Sequence, residues 1–190
     1  MERVVTMSFM LLGLIMIGGM VAAQPESKAE APVMQMGAPP EMKQLAFMVG
    51  TWDVVMSMRM SPDEPWTESK AVNTNVMIID GCALQSEFEA EMMGMQFKGF
   101  STTTYNRVTG KWQTTWIDNI GAAVGLYEGD FKDGKFVVSG KDVMPDGKTM
   151  VSRITSYNIT DTKYEWMQEN SMDNGATWMT SMKGVYTKRQ

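Results

Sequence analysis

From residue 50 to the C-terminus the polarity of the chain alternates with a period of two, and this alternation limits what the chain can fold into more than any other feature. In the run 51–60, Trp52, Val54, Met56, Met58 and Met60 share one parity, while Asp53, Ser57 and Arg59 share the other. That is the pattern of a strand with one buried face. Leu84, Ser86, Phe88, Ala90 and Met92 repeat it against Gln85, Glu87, Glu89 and Glu91. Runs at 97–105, 111–118, 126–131, 136–140, 150–159, 164–171 and 178–188 read the same way. Turn residues separate them: Asp80-Gly81, Gly94, the stretch 106–110, Asp133-Gly134, Asp146-Gly147, Asp161 and Asn174-Gly175. Asp-Gly and Asn-Gly suit tight hairpins, whose backbone needs positive φ. The expectation is an all-β fold, a single antiparallel up-and-down β-barrel of about ten strands, because closure removes the exposed edges of such a meander. Only residues 40–47, PEMKQLAF, read as a short N-terminal helix, placed to plug or flank one end.

Ahead of this domain, residues 4–23 form an apolar run after Arg3 that ends in Val21-Ala22-Ala23. Small residues at the last and third-last positions fit a signal peptide over 1–23, cleaved after Ala23. The rival reading is an uncleaved membrane anchor, since about 20 apolar residues span a bilayer. Either way the rest of the chain is expected to be exported, to a bacterial periplasm or outside the cell. Residues 24–41 carry four of the seven prolines and read as a flexible linker. The barrel domain is expected over 42–190, long enough to bury a core without disulfides.

Of the 190 residues none is histidine and one, Cys82, is cysteine. Imidazole-based zinc, haem and triad chemistry is therefore excluded, as is an internal disulfide or a Cys-x-x-Cys motif. A net charge of -5 without a basic tract argues against nucleic acid as a partner. No cofactor, no metal and no catalytic residue is expected, and the membrane enters only through an uncleaved leader. The sequence leaves the oligomeric state open.

The segment 45–52, LAFMVGTW, resembles the opening of a bacterial family known as domain of unknown function 1579. Further segments fit the same pattern in order: Gln96-Phe97-Lys98-Gly99-Phe100, Tyr105-Asn106, Thr109-Gly110-Lys111-Trp112, Trp116-Ile117-Asp118, Tyr127-Glu128-Gly129 and Tyr186-Thr187-Lys188-Arg189. The resemblance spans about residues 41–190. It implies a lipocalin-like barrel of the calycin group, in which Gly50-x-Trp52 begins the first strand and the indole closes one end. It implies no established activity.

Candidate functional residues follow from parity. Trp52, Met56, Met58, Phe88, Met92 and Trp116 are expected to point inward, where aromatic and thioether side chains either fill a core or line a site for a small hydrophobic or amphipathic ligand. Arg153 shares the parity of Val151 and Tyr157 and is expected inward as well. There it would grip a ligand carboxylate, pair with Asp118 or stand at the barrel mouth. Of the 22 methionines, five fall in the leader. The sets Met34/Met36, Met56/Met58/Met60 and Met92/Met93/Met95 raise Cu(I) as a soft-ligand alternative. Alternate strand residues lie about 7 Å apart, however, so a neighbouring strand would have to contribute. Glu87, Glu89 and Glu91 read as an outward stripe, Cys82 as a small apolar residue without a base, and Asn158-Ile159-Thr160 as a formal sequon. Three functions remain: a non-enzymatic ligand-binding barrel, an envelope interaction module with a filled interior, or, with no motif behind it, an enzyme whose acid/base work falls to Asp, Glu, Tyr, Arg or Lys.

Overall fold

Ten strands run in sequence order around a closed antiparallel barrel in the computed structural model, which describes residues 35–92, 94–144 and 146–190. They are β1 (Gly50–Met58), β2 (Thr67–Ile78), β3 (Ala83–Met92), β4 (Met95–Asn106), β5 (Lys111–Asp118), β6 (Gly125–Lys132), β7 (Lys135–Val143), β8 (Thr149–Tyr157), β9 (Lys163–Ser171) and β10 (Met179–Lys188). Each strand pairs with the next, and β1 closes on β10 with Trp52 opposite Lys188 and Met58 opposite Met182. The expected leader and most of the expected linker lie outside the described residues. Among the described residues no helix is long and apolar enough to cross a membrane.

The turn chemistry does what the sequence asks of it. Asp133 and Gly134 join β6 to β7 with φ of 52° and 70°, the pair of positive values that a two-residue hairpin requires and that glycine adopts without strain. The outward stripe is also in place: Glu87, Glu89 and Glu91 are exposed. Glu89 meets Lys98 of β4 at 2.8 Å in an exposed ion pair, a contact of small energetic weight.

The segment expected as a helix forms a 3-10 helix, Pro40–Met48, which plugs the barrel end where β1 begins. Its Met42 and Leu45 are buried among Leu84, Trp112, Phe136 and Val138. Beside it Trp52, with no exposed surface, meets the Tyr164 ring edge-on at 4.9 Å. The Trp52 indole N–H donates to the Met48 carbonyl at 2.7 Å, and the Asn75 amide donates to the same oxygen at 2.9 Å. One carbonyl thus fastens the plug to two neighbouring strands.

Strand β2 has no counterpart among the apolar runs of the sequence, and the register explains why. Its inward residues, read from partners on β1, are Thr67, Ser69, Ala71, Asn73, Asn75 and Met77. Four of the first five are polar, so no hydrophobic alternation marks them. Asn73 donates to Ser86 Oγ and to the Glu87 carbonyl, while Asn75 donates to Asn73 and to the plug. Two further boundaries differ from expectation. β1 ends at Met58, leaving Met60 exposed in the following loop, and β8 ends at Tyr157, before Asn158 at φ 52°.

Removing the plug's contacts tests this architecture. Trp52→Ala is expected to destabilise the barrel by about 3–5 kcal/mol and Leu45→Ala by about 2–5 kcal/mol, read from denaturant unfolding.

Candidate functional site

Barrel register fixes which side chains see the interior. Trp52, Met56 and Met58 on β1, Phe88 and Met92 on β3, Phe97 on β4 and Trp116 and Asp118 on β5 all fall on the inner face. Trp52 belongs to the plugged end, and Met56 and Phe88 are buried in the same aromatic layer as Tyr164 and Tyr186. Above that layer, toward the end where β1 finishes, the inward side chains are half-exposed: Met58, Met92, Phe97, Trp116, Asp118, Asp142, Gln168 and Met182. The interior is therefore sealed at one end and open to solvent at the other.

Arg153 is not part of this interior. On β8 the inward parity belongs to Ser152, Ile154 and Ser156, which oppose Gly140, Val138 and Phe136 of β7, while Arg153 opposes the outward Ser139. Parity misassigned it because Val151 and Tyr157 are apolar on the outer face and the inner face uses small serines. Arg153 lies instead 2.9 Å from Glu169 in an ion pair, with its guanidinium 4.0 Å above the Trp178 ring. Neither a ligand carboxylate nor Asp118 is its partner.

Wall glycines make room for the rings of the open half. A Cβ at Gly99 would stand 2.3 Å from the benzo edge of Trp116, and one at Gly140 would stand 2.7 Å from the Tyr127 ring. The two rings occupy the space that the missing side chains leave on the wall. Trp116 also stacks on Phe97 at 6.4 Å between centroids.

The polar groups of the open half are mostly acids and hydroxyls. The Asp118 carboxylate accepts from the Trp116 indole at 2.9 Å and from the backbone N–H groups of Ile120 and Gly121. Burial pushes this carboxyl up, but those donors outweigh it and hold it below its ordinary value. Asp142 accepts from Ser152 at 3.1 Å and faces the Tyr127 hydroxyl. Burial first, then the charges of Asp142 and Asp118, push the Tyr127 phenol up to about 12.

Inward hydroxyls complete the picture. Ser101 (8 % exposed) on the wall of the open half, and Tyr164, Tyr186 and Ser156 in the packed half, face inward, and none of these side chains makes a hydrogen bond with the described residues. Yet among those residues no polar side-chain atom is both sealed from solvent and unpaired. For Ser101, on the inner wall of the open half opposite Trp116, the accessible space that its oxygen touches is the lumen. Sequence reading found the apolar and aromatic lining, Tyr186 included, and placed Asp118 beside Trp116, but it had no means to find Ser101 or Asp142, because serine and aspartate at inward parity look like interruptions.

Other chemistry is thinly supplied. Among the described residues no group of three or more Cys, Asp or Glu side chains is placed to hold a metal. For the methionines, register sets Met58 opposite Met182 and Met92 opposite Met95. On the outer wall, a cleft of about 360 Å³ lies over β4 to β6, lined by Thr102, Thr115 and Leu126 among others. A second of about 310 Å³ lies over Lys111, Asp130 and Ser139.

A closed ten-stranded antiparallel barrel, plugged at one end by a helical segment, is a calycin-like architecture. The chain belongs to the family described as protein of unknown function DUF1579, whose sequence profile matches residues 38–188. No curated protein matches it in sequence. In fold it is similar to the S-type phycobiliprotein lyase CPES from Guillardia theta, with a TM-score of 0.54 at 11 % identity over 78 % of this chain and 92 % of that one. It is likewise similar to Rv2717c from M. tuberculosis, with a TM-score of 0.57 at 10 % identity over 80 % of this chain and 99 % of that one. At such identities the likeness concerns the fold alone.

The raised Tyr127 phenol gives the site a measurable signature. The unfolded chain ionises this phenol near 10 and the folded protein near 12, so the stability linked to it is intact below pH 10 and lost as pH rises through 12. Asp142→Asn removes one of the charges that oppose ionisation. It is expected to bring the Tyr127 titration down toward 10, followed by phenolate absorbance against a Tyr127→Phe control.

Proposed function

We propose that this protein is an exported, non-enzymatic barrel that binds a small amphipathic molecule in the open half of its lumen. The observation that carries the reading is the inward Ser101 hydroxyl of the open half, which finds no partner among the described residues. Buried polar groups are almost always satisfied, so hydroxyls facing accessible interior space point to water or the polar part of a ligand as their partner. Support comes also from the half-exposed apolar wall of Met58, Met92, Phe97 and Trp116, from the plug that blocks the opposite end, and from the likeness to barrels of the same kind. Methionine and aromatic side chains adapt to varied apolar shapes. Export is supported by residues 4–23 and their small-residue ending.

A second reading has its own observation. Met60, Met95, Ile120, Val124, Val143 and Met172, from loops and strand ends around the open mouth, are all exposed. An apolar rim of this kind suits a protein-docking module as well as a ligand doorway. Cu(I) storage is less well supported: a rung of the ladder brings two thioethers together, and a trigonal set needs a third.

Native mass spectrometry of protein purified without detergent separates the two main readings. Adducts of defined mass that vanish in Ser101→Trp, which fills the lumen beside Trp116, are expected for a carrier. Adduct-free protein, together with equal binding of an apolar fluorophore by wild type and Ser101→Trp, would defeat it in favour of docking.

A further inference from the structure

We infer that the ligand's polar end is cationic, an ammonium or another positively charged hydrogen-bond donor, and not a carboxylate. The inference rests on the lumen-binding reading and specifies its chemistry.

Among the described residues, the charged side chains that register places inside the open half are Asp118 on β5 and Asp142 on β7, the strands on either side of β6, and both act on its Tyr127. Neither has a basic partner. The donors to Asp118 are an indole and two backbone N–H groups, and those around Asp142 are the Ser152 and Tyr127 hydroxyls. Three basic residues of the neighbouring strands are paired on the outer face, Arg153 with Glu169, Lys111 with Asp130 and Lys98 with Glu89, and Lys135 and Lys141 of β7 are exposed. The inward Lys188 belongs to the plugged end, 5.4 Å from the Trp52 ring centroid.

In the half-exposed mouth of the lumen, two carboxylates without a cation set a negative potential that attracts positive charge and repels an anion, an effect that solvent and salt screen in part. Their effect on a neighbour is already visible, since both charges oppose ionisation of Tyr127. The Trp116 and Phe97 rings beside them present aromatic faces, which also favour an organic cation. The unpartnered Ser101 hydroxyl, opposite Trp116 on the next strand, adds a hydrogen-bonding position on the same stretch of wall. Charge, aromatic faces and a spare hydroxyl thus meet on one side of the lumen, above an apolar floor suited to a hydrocarbon or ring system.

Three twelve-carbon probes of equal length isolate the head group: dodecylammonium, dodecanol and laurate, titrated by calorimetry at neutral pH below their aggregation limits. Dodecylammonium is expected to bind at least about tenfold more tightly than dodecanol, and laurate more weakly than either. Asp142→Asn keeps the side-chain shape and is expected to erase about tenfold of the dodecylammonium affinity while leaving dodecanol unchanged. Thermal unfolding confirms that the variant is folded. Laurate binding as tightly as dodecylammonium, or an Asp142→Asn variant with undiminished preference for it, overturns the cationic assignment and leaves the lumen site standing. Failure of all three probes to bind removes the lumen reading itself, and this inference with it.

Discussion

Closure of the ladder between β1 and β10 is the constraint from which the remaining structure follows. Once Trp52 to Met58 pair with Met182 to Lys188, every strand has two neighbours and every side chain is assigned to the wall's inside or outside. A one-residue shift in any rung would exchange the two faces. The hairpin turns hold that register locally, and the plug holds it at the sealed end, where the Met48 carbonyl takes N–H donors from Trp52 and Asn75 together.

The interior that results has two zones with different physics. At the plugged end, large rings pack on one another: Tyr164 stacks on Tyr186 at 4.3 Å, and Trp112 meets Phe136 edge-on at 5.6 Å. Toward the mouth, glycine and serine replace bulk on the wall, and the Trp116 and Tyr127 rings occupy the space that the glycines leave. Polar groups concentrate in this second zone. A barrel meant only to be stable would gain from filling it with aliphatic side chains, because each buried methylene contributes about 0.8 kcal/mol. The retained carboxylates and hydroxyls are thus a cost to the fold, one that the proposed ligand chemistry would account for.

Most of the fold was legible in the sequence because strands with an apolar inner face announce themselves by parity, and Asp-Gly and Asn-Gly mark the turns. The exceptions share one physical cause: they are places where the inside is not greasy. β2 escaped notice because Asn73 and Asn75 face inward to hold the plug and the β3 backbone. Arg153 was assigned to the lumen because Val151 and Tyr157 made the outer face of β8 look like the inner one. Asp118 was placed inside by its spacing from Trp116, whereas Asp142 and Ser101 gained meaning only when register showed what they face. Hydrophobic alternation reports the core, and a binding site is where that alternation is broken on purpose.

The plug carries a consequence for traffic. With one end stoppered by Leu45 and Trp52, a ligand bound in the lumen as proposed would arrive and depart through the same doorway and keep the orientation in which it came. A molecule that slides in tail first leaves its head among the loops. There a receiving surface would be able to recognise it before the barrel lets it go.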